Sequence, residues 1–441
     1  MPRKKRAKHV SIYNTIVIAL LVWCTLQDFA LPILLKITGA VSLINILFYL
    51  KDIVFVLLFL YSFIKQKGIN AQYTIFTILY FALLSLFLLI GINKGVSLTQ
   101  GLSIFRGWML LPCFYCIGHF IRNKKRFVKK TLPRFFLFYS ILALIGIGEY
   151  LADISFGTKE FWLNVVDIDN YMDVIKGQGD RLVNGLPGNM YGSYGGAYLS
   201  TKRLCSVWAS PLSAAYNLVF PVMYYLVRFI RKKESGIFVL LFINALALIL
   251  TITRAILLLS IVAAFIVIVY HCKRYRNFII LGSVVAFVVI LIAFRNKIGS
   301  LLFDGSTKGH TDSIIRSLTS LDSILGSGIG TFGIGTEIGT ESTYLSCLGQ
   351  LGIIGLILFA GFILNTLYNM CLKFKRYRSP TMFAMIVCIA LIAITGFISE
   401  QMNAFTSSAI CFVILGFYSG FKQRKKMVQK KNNSLALCSN A

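Results

Sequence analysis

The chain has 441 residues, of which 57% are hydrophobic and only 14% charged, with a formal net charge of +29. Its many separate apolar runs of about 17 to 30 residues are each long enough for a hydrocarbon layer roughly 30 Å thick, which excludes a soluble globular enzyme. A membrane β-barrel is excluded too: its strands would read as about ten residues of alternating hydrophobicity, whereas these runs are continuous Leu, Ile, Val and Phe.

The opening MPRKKRAKHV, ahead of about 17 apolar residues, has the outline of a signal peptide. No small-residue cleavage site follows and more spans come directly after, so it reads as a retained first span. Spans are expected at 10–28, 40–63, 72–92, 102–121, 135–151, 204–227, 236–251, 255–271, 278–294, 342–371, 381–399 and 404–421. This is an all-α polytopic protein with about twelve transmembrane helices in a single integral membrane domain over 1–441. Both termini then fall on one side, with a tail at 422–441. Ten cysteines are scattered through the chain, and the close pair Cys113 and Cys116 lies within an expected helix, so buried free thiols are expected rather than a zinc or disulfide framework.

The distribution of charge sets the topology. If the RKKRAK end is cytoplasmic, the segments on that side hold 31 of the 45 Lys and Arg residues and, of the 16 acids, Glu234 alone. The cytoplasmic face is then +30 and everything else −1, a positive-inside pattern rather than a nucleic-acid patch. The stretch TITRAILLLS gains a meaning from this count. RFIRKK before it and HCKRYR after it are both cytoplasmic, so the apolar runs flanking Arg254 form a hairpin that turns at the outer surface over Thr251 to Arg254. An arginine at the bilayer centre would cost roughly 3 kcal/mol, which this placement avoids.

Two long connections fall outside, at 152–203 and 295–341. The first, with Trp162, Tyr171, Tyr191, Tyr194 and Tyr198, is expected to form an ordered cap whose aromatic rings offer faces to a ligand. The second ends in LGSGIGTFGIGTEIGTESTYLS, where 328–333 fit GxGxxG without a preceding strand. A dinucleotide site is not expected there, although glycine-rich backbone can approach an anion through its amides.

Arginines gather on the outer side. Arg106 opens the fourth span, Arg203 the sixth, and Arg254 tips the hairpin, while Arg181, Arg295 and Arg316 lie in the loops. Each alone is explained by interfacial snorkelling, but several at one level suit phosphate, whose geometry the guanidinium fork matches. Outer acids are Glu149, Asp312, Glu337, Glu341 and Glu400; Glu341, just before the last long apolar run, suits either a general base or a helix cap. Lys51 and Asp52 are neighbours in the second span and are expected to pair with another span, and His310 is a lone loop histidine.

Three stretches in order, RLCSVWASPLSAAYNLVFPV, LALILTITRAILLLSIVAAF, and IIRSLTSLDSILGSGIGTFG leading to ESTYLSCLGQLGIIGLILF, make the chain from residue 203 onward resemble the O-antigen ligase and Wzy-type polysaccharide polymerase superfamily. The resemblance implies a fold similar to the GT-C glycosyltransferases, with an active site at the outer membrane boundary of a bacterial cytoplasmic membrane. It implies transfer of a glycan from a polyprenyl diphosphate, with Arg203, Arg254, Arg316 and Arg106 on the diphosphate and no metal or cofactor. Where ligase-like members carry a histidine before this helix, the chain has Glu341-Ser342, which makes Glu341 the candidate base and His310 the reserve. Polymerisation of capsular, exopolysaccharide or O-antigen repeat units is the expected activity; a ligase acting on finished glycan, and a lipid or glycan transporter, stay open. Expected partners are the lipid-linked oligosaccharide, membrane lipid, and a flippase and chain-length regulator of the same pathway, with no nucleic acid.

Overall fold

In a computed structural model, the chain is described over residues 3–65, 71–121, 123–156, 161–177, 179, 182–183, 186–187, 190–194, 197–272, 276–277, 280–281, 305–321, 324–333 and 339–421. Serines start several of the helices. Ser97, Ser210, Ser342 and Ser379 each stand extended before a helix and accept a hydrogen bond from an amide in its first turn, with Pro211 and Pro380 next in line at the second and fourth of these starts.

The helices are α1 (Arg3–Thr38), α2 (Val41–Lys65), α3 (Ala71–Asn93), α4 (Leu98–Phe120), α5 (Leu132–Phe156), α6 (Ile168–Val174), α7 (Pro211–Lys232), α8 (Ser235–Leu250), α9 (Arg254–His271), α10 (Gly305–Thr319), α11 (Thr343–Tyr377), α12 (Pro380–Thr395) and α13 (Phe405–Ser419). Seven of the described helices, in α1 to α5, α9 and α11, are long and apolar enough to cross a membrane by length and composition, and α8, α12 and α13 are shorter apolar helices. The protein is therefore an all-α polytopic membrane protein. The expected span at 278–294 and the tail at 422–441 lie outside the described residues.

Two differences from the expected spans have physical causes. The sixth span was expected from 204, but its helix starts only at Pro211, because residues 206–208 form a single 3-10 turn and Ala209 is left-handed. From Pro211 to Tyr225 α7 is buried on every side, so it is the central helix of the bundle rather than a lipid-facing one. Its polar groups are matched accordingly: Asn217 Nδ2 donates to the Thr406 carbonyl at 2.8 Å and Tyr139 donates to Asn217 Oδ1 at 3.1 Å. The long helix α11 is broken at Gly352, which has φ 68° and ψ −174°. Backbone from 324–330 enters that break, where the Ile353 amide donates to the Ile324 carbonyl at 2.9 Å. Irregular backbone at this depth is tolerated where protein surrounds it.

Helices α4 and α13 approach most closely through glycine. A Cβ on Gly118 would strike the Val413 carbonyl oxygen, and one on Gly416 would strike that of Tyr115. Helix termini rich in Lys and Arg collect at one end of the bundle: Lys124 donates to the Phe417 carbonyl at the end of α13, and the rings of Tyr270, Phe374 and Phe383 pack in tilted and edge-on contacts where α9 and α11 end and α12 begins.

The opposite end carries the cap. Among the described residues of 152–203 are a π-helical turn at Phe161–Val166, helix α6, and two small antiparallel hairpins, β1 (Leu182–Val183) with β2 (Leu186–Pro187) and β3 (Tyr191–Tyr194) with β4 (Ala197–Lys202). Trp162, Val166, Ile168, Tyr171, Leu186 and Met190 form a second apolar core with Leu31 and Leu35 of α1 and Ile44 of α2. Lys36 donates to the Asn164 carbonyl and Lys176 pairs with Asp28 at 3.0 Å, so both α1 and its loop partner are clamped.

Candidate functional site

The hairpin turn forms where the charge count placed it, with α9 beginning at Arg254 itself. Thr251 and Thr253 are buried, and Ile252 between them takes φ 51°, an outlier for a β-branched residue. Arg203 holds this turn. Its Nε donates to the Thr251 carbonyl at 2.9 Å and its NH2 to Thr253 Oγ1 at 3.1 Å. Backbone bonds fix Arg203 in turn: its amide donates to the Met190 carbonyl of the cap and the Leu204 amide to the Leu250 carbonyl of α8, each at 2.9 Å.

The two arginines are electrostatic neighbours. Burial lowers the Arg203 pKa from its ordinary value, and the positive charge of Arg254 lowers it further. Arg254 also occupies the first turn of α9, where the helix dipole is positive. Two guanidinium groups and a helix N-terminus at one place make a potential that an anion relieves. Arg203 does not open a span as expected, since it stands in the strand-to-turn segment eight residues before α7.

A second charged cluster anchors the cap beside this pair. Lys202 bonds to Glu149 Oε1 and lies 3.4 Å from Asp153 Oδ1, and Trp162 Nε1 donates to the same Glu149 oxygen at 2.8 Å. Glu149 is thus structural. Trp162 and Tyr171, at 1% and 0% exposure, sit inside the cap core and present no face to a ligand, contrary to the expectation for the loop aromatics. The side chains of Tyr191, Tyr194 and Tyr198 lie outside the described residues.

Glu341 is exposed directly ahead of α11. It is not the helix cap: Ser342 Oγ fills that role by accepting from the Leu345 amide at 3.3 Å. Thr343 Oγ1 donates to the Ser399 carbonyl at 2.7 Å, which brings the start of α11 to the turn carrying Glu400. Glu400 reaches the space beside Gly333, where an added Cβ would meet Ser346 Oγ at 2.8 Å and Glu400 Oε1 at 2.9 Å. Over residues 327–330 the glycine-rich segment offers no anion cradle. The amides of Ser327 and Gly328 donate to the carbonyls of Gly349 and Gln350, that of Ile329 to Phe87, and that of Gly330 to Gln350 Oε1, so packing between α3 and α11 consumes the donors.

Arg106 is placed elsewhere. Its NH1 donates to Asp52 Oδ2 at 2.9 Å, the inter-span pairing expected for the Lys51-Asp52 step, and Lys51 Nζ stands 3.8 Å from the same oxygen. Lys51 and Asp52, neighbours on one helix, come within that distance because both turn toward a common cavity. This cavity, about 690 Å3, is walled by α1, α2, α4, residues 175–176 after α6, and 403–406 at the start of α13. Arg316 is exposed on α10, where its carbonyl accepts from Thr319 at 3.0 Å; nothing among the described residues joins its guanidinium to the Arg203–Arg254 pair. His310 lies in α10 with its side chain outside the described residues, as are Arg181, Arg295 and Glu337 altogether. No group of three or more His, Cys, Asp or Glu residues able to hold a metal occurs among the described residues.

Of the residues with a place in these sites, Gln27 and Asn403 escaped selection from the sequence. Glu400 carried a signal as an outer acid, whereas Gln27 and Asn403 are single amides with no pattern around them. Fold and site together define a polytopic helical membrane protein that holds a cationic pair and a polar cavity under a folded cap. Comparison with known proteins finds no matching family model, no matching curated protein and no matching solved structure.

Proposed function

We propose that the protein is a glycosyltransferase that polymerises oligosaccharide repeat units carried on a polyprenyl diphosphate. The observation that carries this reading is the Arg203 guanidinium, fixed by two directed hydrogen bonds to the hairpin turn that leads into Arg254, whose charge it feels. A diphosphate needs more than one cationic partner, and preorganised guanidinium groups act most strongly on charge that develops as a glycosidic bond to phosphate breaks. The growing glycan moves from its carrier to a hydroxyl of the incoming lipid-linked unit, with the polyprenyl diphosphate leaving. Glu341 takes the proton from the attacking hydroxyl. Arg316 of α10 is the third cationic contact to the diphosphate in this reading.

The twelve-span topology with both termini cytoplasmic, a GT-C-like arrangement and an outward-facing site in a bacterial cytoplasmic membrane belong to this reading, supported by the gathering of basic helix ends opposite the cap. So does a role in capsule, exopolysaccharide or O-antigen synthesis alongside a flippase and a chain-length regulator. Purified protein given lipid-linked single repeats yields a ladder of longer lipid-linked products. Attachment of finished glycan to a different acceptor, without a ladder, makes it a ligase; passage of the lipid across vesicles without new bonds makes it a transporter.

A further inference from the structure

The cavity between α1, α2 and α4 has an unbalanced wall. Gln27 Oε1, Asp52 Oδ1 and Asn403 Oδ1 all belong to residues lining it, and all are buried with no hydrogen-bond partner among the described residues. Gln27 itself is only 3% exposed. Each of the three atoms is an acceptor. The charged side chains nearby are each directed to another acceptor: Arg106 to Asp52 Oδ2, Lys51 to the Phe48 carbonyl at 2.6 Å, and Lys176 to Asp28 at 3.0 Å.

A ligand that completes this wall must bring hydrogen-bond donors. Lys51, Arg106 and Lys176 outnumber Asp28 and Asp52, so a metal ion or an organic cation is disfavoured by charge. Phosphate and carboxylate bring chiefly acceptors, which leave the three orphan oxygens of Gln27, Asp52 and Asn403 without a donor, and are disfavoured by hydrogen bonding. An uncharged molecule rich in hydroxyl groups satisfies both conditions. The volume of about 690 Å3 falls in the range of roughly 300–1,000 Å3 usual for small-molecule sites. Exposed Tyr49 adds an aromatic face to the lining. The three acceptors sit on terminal torsions that turn over a broad range, which lets a ligand hydroxyl draw them from the wall.

The cavity is also joined to the arginine pair. Thr406 of its wall bonds to Ser213 Oγ at 3.2 Å in the first turn of α7; the Pro211 carbonyl of that turn accepts from Thr253 Oγ1 at 3.5 Å; and Thr253 Oγ1 accepts from Arg203. We propose that this cavity is a subsite for an uncharged, hydroxyl-rich sugar unit of the acceptor glycan, its hydroxyls donating to Gln27, Asp52 and Asn403. The word acceptor rests on the polymerase reading; the binding of a neutral sugar does not.

The test is saturation-transfer NMR on the full-length protein in nanodiscs, with methyl glycosides of glucose, galactose and N-acetylglucosamine as probes and inorganic pyrophosphate as competitor. At least one glycoside is expected to bind and to resist displacement by pyrophosphate. Gln27→Leu and Asn403→Leu are each expected to weaken binding tenfold or more. Ser103→Trp, which fills the cavity from an exposed wall position and leaves the buried bonds intact, is expected to abolish it. Binding by none of the glycosides, displacement by pyrophosphate, or undiminished binding in all three variants overturns the proposal. Glycoside binding without any product ladder refutes the polymerase and leaves the sugar subsite standing. A ladder whose acceptor KM is unchanged in all three variants refutes the subsite alone.

Discussion

Replacing Arg203 by lysine should unlock the hairpin turn that carries Arg254. The guanidinium makes two bonds in different directions, to the Thr251 carbonyl and to Thr253 Oγ1, and an ammonium on a flexible stem reproduces one of them at most. A hydrogen bond to a charged group contributes about 1.5–3 kcal/mol, so Arg203→Lys loses about that amount from the folded state. The loss falls on backbone already under strain: Ile252 at φ 51° costs about 1–3 kcal/mol and persists because its neighbours are fixed. Relaxation of the turn displaces Arg254, and at 1.4 kcal/mol per decade a tenfold or larger fall in activity follows from even the smaller figure. A double-mutant cycle with Ile252→Gly isolates the coupling, since glycine occupies the left-handed region without strain and leaves Arg203 less to restrain. Thermal midpoints at matched detergent and heating rate should show Arg203→Lys costing less in the Ile252→Gly background than alone. Strictly additive effects, or an Arg203→Lys protein as stable and as active as the parent, would refute the clamp.

Three further outcomes follow from the same geometry. Gly118→Ala and Gly416→Ala push α4 and α13 apart against carbonyl oxygens, at a cost of about 1–3 kcal/mol each, read as less folded protein after detergent extraction. Asp52→Asn leaves Arg106 and Lys51 without their carboxylate and costs about 1.5–3 kcal/mol, and adding Arg106→Gln recovers only part of the lost thermal midpoint because buried Lys51 stays without a carboxylate. Glu341→Gln is expected to bind lipid-linked donor normally while forming no product; a Gln variant that still elongates glycan assigns the base elsewhere, and Glu400→Gln is then the next variant to assay.

Much of the architecture was legible because hydropathy and charge act along the chain. Run length gives the helices and most of their starts to within a few residues, although the sixth begins seven residues late at Pro211 and the first runs on to Thr38. The hairpin at 251–254 was legible for the same reason, since two basic segments of one sign bracket it. What tertiary contact decides was not. Nothing near Arg203 in sequence says that its fork closes a turn about fifty residues away, and nothing near Arg106 says that Asp52, on another span, engages it in a separate cavity. At 327–330 the glycine-rich segment resembled an anion cradle because sequence shows the flexibility of the backbone but not that packing between α3 and α11 takes up these amides. Trp162 and Tyr171 read equally well as ligand faces or as core; the cap needs an apolar interior of its own, and they fill it.

The central claim is that a glycan leaves a polyprenyl diphosphate at the Arg203–Arg254 pair. Its most direct measurement counts polyprenyl diphosphate released against glycosidic bonds formed, by phosphorus NMR and chromatography of products from purified protein and lipid-linked repeats alone. One diphosphate freed per bond, with release lost in Arg254→Lys at unchanged protein level, is the predicted result. Intact carrier on every sugar after prolonged incubation, or bond formation undiminished in Arg254→Lys, would contradict it.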